Sequence, residues 1–147
     1  MADAPRRIVL DTNVCLALFL YADPTCAGLR RLLASHQAVA NAATHDEWRR
    51  VLCEGRFPFD ESRRAAAGIA YDQCTLLLEP RPRAFALPRC RDPDDQKFLA
   101  LARDAGAVLL CTRDRELLRL ARRTRRDAGF DVLPPESLET GASAVAM

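Results

Sequence analysis

Apolar and polar positions fall into short blocks along this chain, and the spacing within each block indicates its element. Arg7-Ile8-Val9-Leu10 is apolar and β-branched and closes on Asp11-Thr12-Asn13, the pattern of a buried strand reaching a polar turn. From Thr25 to Ser35, Cys26, Leu29, Leu32 and Leu33 recur at three- and four-residue steps behind the breaker Asp23-Pro24, which predicts an amphipathic helix. Gln37 to Ala43 reads as a short strand. Thr44-His45-Asp46-Glu47 reads as a capping box opening a helix through about Cys53. An alanine-rich helix over Glu61–Gln73, a strand at Thr75–Leu78 and a proline- and arginine-rich loop over Arg81–Arg91 follow. Asp92 then caps a helix with Pro93 in its first position, running to about Asp104 and stopping near Gly106. Ala107–Cys111 is the next buried strand, Thr112-Arg113-Asp114 its polar exit and Arg115–Arg123 a short helix. A last strand at Phe130–Leu133 stops at Pro134-Pro135, leaving 139–147 as a flexible C-terminal tail. Strands alternating with helices at these lengths predict one α/β domain over 1–138, with a central, mostly parallel sheet and helices on both faces.

Composition narrows the class without adding elements. At 147 residues, 49% hydrophobic and 29% charged, the chain suits one globular domain and departs from both disordered and membrane proteins. No apolar run approaches the ~18 residues of a spanning helix, and Met1–Arg7 lacks the apolar centre of a secretory signal, so a cytoplasmic location is expected. The six cysteines form no C-x-x-C pair and several sit in apolar runs, which reads as reduced core thiols. His36 and His45 stand at no zinc-ligand spacing to them. Net charge is +2, and of the basic side chains only Lys97 is a lysine. The remaining arginines present planar forks that grip phosphate.

Four acids fall where chemistry is expected. In an open parallel sheet the site lies beyond the carboxyl ends of the strands. Asp11 directly follows the first strand, Asp114 follows the Val108–Cys111 strand, and Glu47 and Asp95 occupy first turns of helices. Four carboxylates in one pocket raise each other's pKa unless a cation compensates. An oxygen-only donor set calls for a hard divalent ion, Mg²⁺ or Mn²⁺, which activates water and neutralises charge on a phosphoryl group.

Four segments together resemble the successive motifs of the PIN-domain family, closest to bacterial toxins of VapC-like toxin–antitoxin pairs. They are Val9-Leu10-Asp11-Thr12-Asn13, Glu47-Trp48-Arg49-Arg50-Val51-Leu52, Asp92-Pro93-Asp94-Asp95-Gln96-Lys97-Phe98-Leu99 and Cys111-Thr112-Arg113-Asp114-Arg115-Glu116-Leu117-Leu118. The likeness spans Arg7 to Leu138. It implies metal-dependent endonucleolytic cleavage of RNA with Asp11, Glu47, Asp95 and Asp114 as both catalytic and metal-binding acids. Asn13 would orient the first motif or the attacking water, and Thr112 would support the fourth acid. Asp92 and Asp94 compete with Asp95 for the third slot, and Glu116 is an alternate in the last motif. Asp95 is preferred because Phe98, Ala102 and Gly106 then fall where the family has its inward apolar residue, small residue and helix-ending glycine. The resemblance also implies a small antitoxin partner and a homodimer. Trp48 and Cys111 depart from the usual aliphatic residues at their positions.

Each residue also has a plainer reading. Glu47 is explained by the capping box, and Asp92, Asp94 and Asp95 suit a helix N-terminus. Asp114 serves as an ordinary cap, His45 as a solvent-facing helix residue and Trp48 as core. Asp11 resists such a reading, because a carboxylate closing an apolar strand is costly unless paired or metal-bound. From Arg113 to Arg126 there are seven arginines against Asp114 and Glu116, and Arg113, Arg115, Arg119, Arg122 and Arg123 are the candidate RNA-binding rim, with Arg81, Arg83, Arg89 and Arg91 as a second. A solvated helix face explains many such runs. No aromatic cluster of an RNA-recognition type is legible. A phosphomonoesterase lacks support, since no second aspartate stands two residues after Asp11. The rival of a different class is a non-catalytic nucleic-acid-binding or regulatory domain on the same fold.

Overall fold

The computed structural model describes residues 4–138, so the tail expected at 139–147 lies outside the described residues. Five strands form one sheet: β1 (Arg6–Leu10), β2 (His36–Ala40), β3 (Thr75–Leu77), β4 (Leu109–Cys111) and β5 (Asp131–Leu133). Their order is β3-β2-β1-β4-β5, and every pairing is parallel. Parallel neighbours need crossovers, and these carry the helices α1 (Thr12–Cys15), α2 (Ala27–Leu32), α3 (Ala42–Glu54), α4 (Glu61–Cys74), α5 (Gln96–Asp104), α6 (Arg115–Leu118) and α7 (Ala121–Ala128).

Alternation along β1 divides the core in two. Ile8 and Leu10 join Ala38, Ala40, Leu109 and Cys111 in the layer packed against the first four helices. Val9 joins Val39, Leu110 and Val132 in the layer against α5 and α6. Both faces are therefore dry, which is why these strands read as continuous apolar runs.

Several boundaries differ from the sequence expectation. The segment after Asp11 is helical: α1 runs into a π-helix over Leu16–Leu20 that had no periodic signal, because Leu16, Ala17, Leu18 and Leu20 are all buried and leave no polar stripe. Its freed carbonyls are taken up by arginines, with Arg30 donating to Leu18 O at 2.9 Å and Arg63 donating twice to Leu20 O at 3.1 and 2.8 Å. The α3 cap is Asn41 and not Thr44; Asn41 accepts from Thr44 N, and the Thr44 hydroxyl accepts from Asn41 N in the reciprocal arrangement. That shift of one turn frees the Glu47 side chain. The helix expected over Arg115–Arg123 is two, α6 and α7, the second closing on Gly129 at φ 78°. Cys15, Cys26, Cys90 and Cys111 are buried free thiols as expected, whereas Cys53 is exposed and Cys74 half-buried.

Trp48 links three elements. It stacks on Tyr71 of α4 at 4.9 Å between centroids, and Phe19 of the π-helix meets both rings edge-on. With Trp48 1% exposed, rotation of α3 about its axis is blocked beside Glu47. Trp48→Ala is expected to lower the unfolding free energy by ~3–5 kcal/mol, read from denaturant titration; a loss below ~1 kcal/mol would deny this cluster its role.

Candidate active site

From β1 the chain moves to β2 on one side and later returns to place β4 on the other, so the strand order reverses between β1 and β4. A crevice opens there beyond the carboxyl ends of both strands. Asp11 leaves β1 into it and Thr112 leaves β4, one residue after their paired neighbours Leu10 and Cys111. The resulting cleft of about 130 Å³ is lined by Asp11, Thr12, Asn13, Glu47, Val51, Asp95, Phe98 and Asp114.

Local backbone structure aims each acid. Asp11 is the N-cap of α1, 5% exposed, and its Oδ1 accepts from Val14 N at 2.8 Å. Its Oδ2 accepts the hydroxyl of the fully buried Thr112, whose Oγ1 in turn accepts from Asp114 N at 3.0 Å. Asp114 caps α6 by accepting from Glu116 N at 2.8 Å. Glu47 accepts from the Thr12 hydroxyl and pairs with Lys97 Nζ at 2.6 Å.

Of the three candidates for the third acid, Asp95 lines the cleft, Asp92 is engaged as a cap accepting from Asp94 N at 3.0 Å, and Asp94 is exposed. Glu116 sits outside the lining, near Arg119 at 3.6 Å. Within the arginine run, Arg113 is tied to Asp23 at 3.3 Å and Glu136 at 2.9 Å, while Arg115, Arg119, Arg122 and Arg123 are exposed. Lys97 went unassigned in the sequence. Its signal was there, as the one lysine among arginines.

A family model for the PIN domain matches residues 7–116, three quarters of the chain and all four acids. The chain belongs to the PIN domain family. PIN domains are generally nucleases and typically use divalent metals. Among solved structures, this PIN domain is similar to PAE2754 from Pyrobaculum aerophilum, with 18% identity, a TM-score of 0.52, and coverage of 90% of this chain and 87% of that one. That likeness shows the shared fold. No curated protein matches. Among the described residues no helix is long and apolar enough to cross a membrane.

The oxygen-only donor set of this PIN domain suits a hard divalent cation. Among the described residues, however, no three His, Cys, Asp or Glu side chains close on one point as a finished metal cage. Protein groups serve two of these carboxylates: hydroxyls at Asp11 and Glu47, and the ammonium of Lys97 at Glu47. Burial pushes Asp11 above its ordinary value, outweighing the Thr112 and Val14 hydrogen bonds. Burial also pushes Glu47 up, but hydrogen bonds from Lys97 and Thr12 and the charges of Lys97 and Arg50 leave it below its ordinary value. Burial, the Asp114 hydrogen bond and the charges of Asp114, Asp92 and Asp11 raise Asp95 to about 7. Asp95 is thus partly protonated near neutrality.

An acid held above its ordinary value keeps its proton on folding. Its stabilising contribution is complete below the ordinary value of 3.8 and is lost as pH rises through about 7. In chelator the melting temperature should therefore fall from about pH 4 to about pH 7, and Asp95→Asn should flatten that slope. Equal slopes in the two proteins would rule out the raised Asp95 carboxyl.

Proposed function

We propose that this PIN domain is a Mg²⁺- or Mn²⁺-dependent endoribonuclease that hydrolyses phosphodiester bonds of RNA in the cytoplasm. One observation carries the reading: Asp11, Glu47, Asp95 and Asp114, brought from four separate elements, line a single cleft at the sheet's switch point. Bound there by these carboxylates, a divalent cation supplies the positive charge that stabilises a phosphoryl transition state and activates the attacking water.

The chain's own groups have separable parts in this. Asp11 is the rigid anchor, because Thr112 and the Val14 amide fix both of its oxygens. Asp95, raised to about 7, would hold such a cation in its ionised form, so binding would tighten as pH rises through that value. Lys97 holds Glu47 and offers an ammonium at the cleft's rim, suited to a phosphate oxygen of the substrate. Asn13, exposed in the lining, would orient water. The exposed Arg115, Arg119, Arg122 and Arg123 supply phosphate contacts of the sequence-independent kind. A toxin role, with a small antitoxin and a homodimer, rests on the resemblance to VapC-like proteins alone.

End-labelled single-stranded RNA should be cut with Mg²⁺ or Mn²⁺ and left intact in EDTA. Asp11→Asn should lower the rate by at least ~100-fold without unfolding the protein, and Lys97→Met by ~10- to 100-fold. Metal-dependent cleavage undiminished in Asp11→Asn would sink the assignment, and binding without cleavage at any metal concentration would favour the non-catalytic reading.

A further inference from the structure

The acidic cleft, at about 130 Å³, has room for a few waters or the oxygens of a phosphate but not for a nucleobase. A larger cleft of about 480 Å³ adjoins it. Asn13 lines both, and the second is completed by Leu16, Ala17, Tyr21, Asp23, Phe57 and Arg113. This volume lies within the roughly 300–1,000 Å³ of small-molecule sites.

Its distinctive wall is aromatic. Tyr21 is 46% exposed although two rings brace it edge-on, Phe59 at 5.1 Å and Phe57 at 6.3 Å between centroids. The backbone holding Tyr21 is irregular on both sides. The π-helix ends at it, with Tyr21 N donating to Leu16 O at 3.0 Å, and Ala22 follows at φ 51°, the one non-glycine residue with positive φ among those described. Such departures persist where surrounding structure over-determines them. Here Asp23 does so, held by Arg113 and by Ala17 O, which accepts from Asp23 N at 2.9 Å. Phe57 in turn packs directly over Gly55, where a Cβ would lie 2.4 Å from its ring. A half-exposed tyrosine kept rigid by a π-helix, a left-handed residue and two phenylalanines is more than surface packing requires.

We propose that this second cleft is a nucleobase subsite, in which Tyr21 stacks the unpaired base of the nucleotide adjoining the scissile phosphate. The inference rests on the ribonuclease reading and adds to it a single-stranded substrate. Continuity through Asn13 places base and phosphate of one nucleotide in neighbouring clefts. Arg113, with its donors taken by Asp23, Thr25 and Glu136, contributes a fixed planar wall and not a free charge for phosphate. Stacking tolerates every base, so the subsite selects unpaired strands over duplexes and not one sequence.

The test uses the full chain in Asp11→Asn form with Mg²⁺, titrated against RNA hexamers carrying 2-aminopurine at each position in turn. At one position the probe's fluorescence should be quenched on binding. Adding Tyr21→Ala should abolish that quench and weaken Kd about tenfold, with Tyr21→Phe staying within about twofold of the parent. An abasic nucleotide at that position should weaken the parent equally and leave Tyr21→Ala no further effect. In otherwise wild-type protein, Tyr21→Ala should raise KM about tenfold with kcat changed less than about twofold. If Asp11→Asn does not bind RNA and the wild-type protein does not cut it, the ribonuclease reading falls and the subsite with it. If Asp11→Asn binds and the wild-type protein cuts, while Tyr21→Ala matches the former in quench and Kd and the latter in KM, the subsite alone falls and this surface belongs to a protein partner.

Discussion

A carboxylate at the end of a buried strand sets the terms for everything around it. Asp11 is nearly excluded from water, and in that position an ionised group must be given hydrogen bonds or a counter-charge. Both of its oxygens receive donors, one from the backbone of α1 and one from a threonine on the neighbouring strand. The second bond matters more for architecture. Thr112 simultaneously accepts from the amide of Asp114, so one hydroxyl ties the exit of β1 to the exit of β4 and fixes the spacing of two acids that no strand connects directly. The reversal of strand order would leave an open crevice there; the threonine turns it into a cleft of defined width.

Within that cleft the acids are accommodated in three physically distinct ways. Asp11 is solvated by protein dipoles, Glu47 is neutralised by an ammonium, and Asp95 is raised towards its protonated form by burial beside Asp114. The cost of assembling like charges is offset in the folded chain by these hydrogen bonds and this counter-charge.

How much of this was legible in the sequence follows from how far each signal reaches along the chain. The strands and the helix opened by Asp92 and Pro93 are local patterns, and their order gave the α/β class and the cleft's position. Asp11 stood out because charge after an apolar strand needs explaining. Only the plainer capping-box reading of Glu47 fails, because the cap is Asn41, one turn earlier than Thr44, whose hydroxyl at the right spacing invited it. The π-helix was invisible because a segment buried on every side has no amphipathic period. Lys97 and the Tyr21 ring cluster were missed for a different reason. Their partners, Glu47 for one and Phe57 and Phe59 for the other, come from distant parts of the chain, and only the fold makes them neighbours.

The cysteines acquire a sharper meaning beside the acids. Burial, and then the charge of Asp11, hold the thiols of Cys15 and Cys111 well above their ordinary values, so neither offers a thiolate. A soft ion such as zinc or copper(I) finds no sulfur anion at this site, and peroxide finds no nucleophile to oxidise. The same aspartate that suits the cleft to a hard cation thus shields its flanks from redox chemistry. The one exposed thiol among the described residues, Cys53 near the end of α3, stands outside the cleft lining.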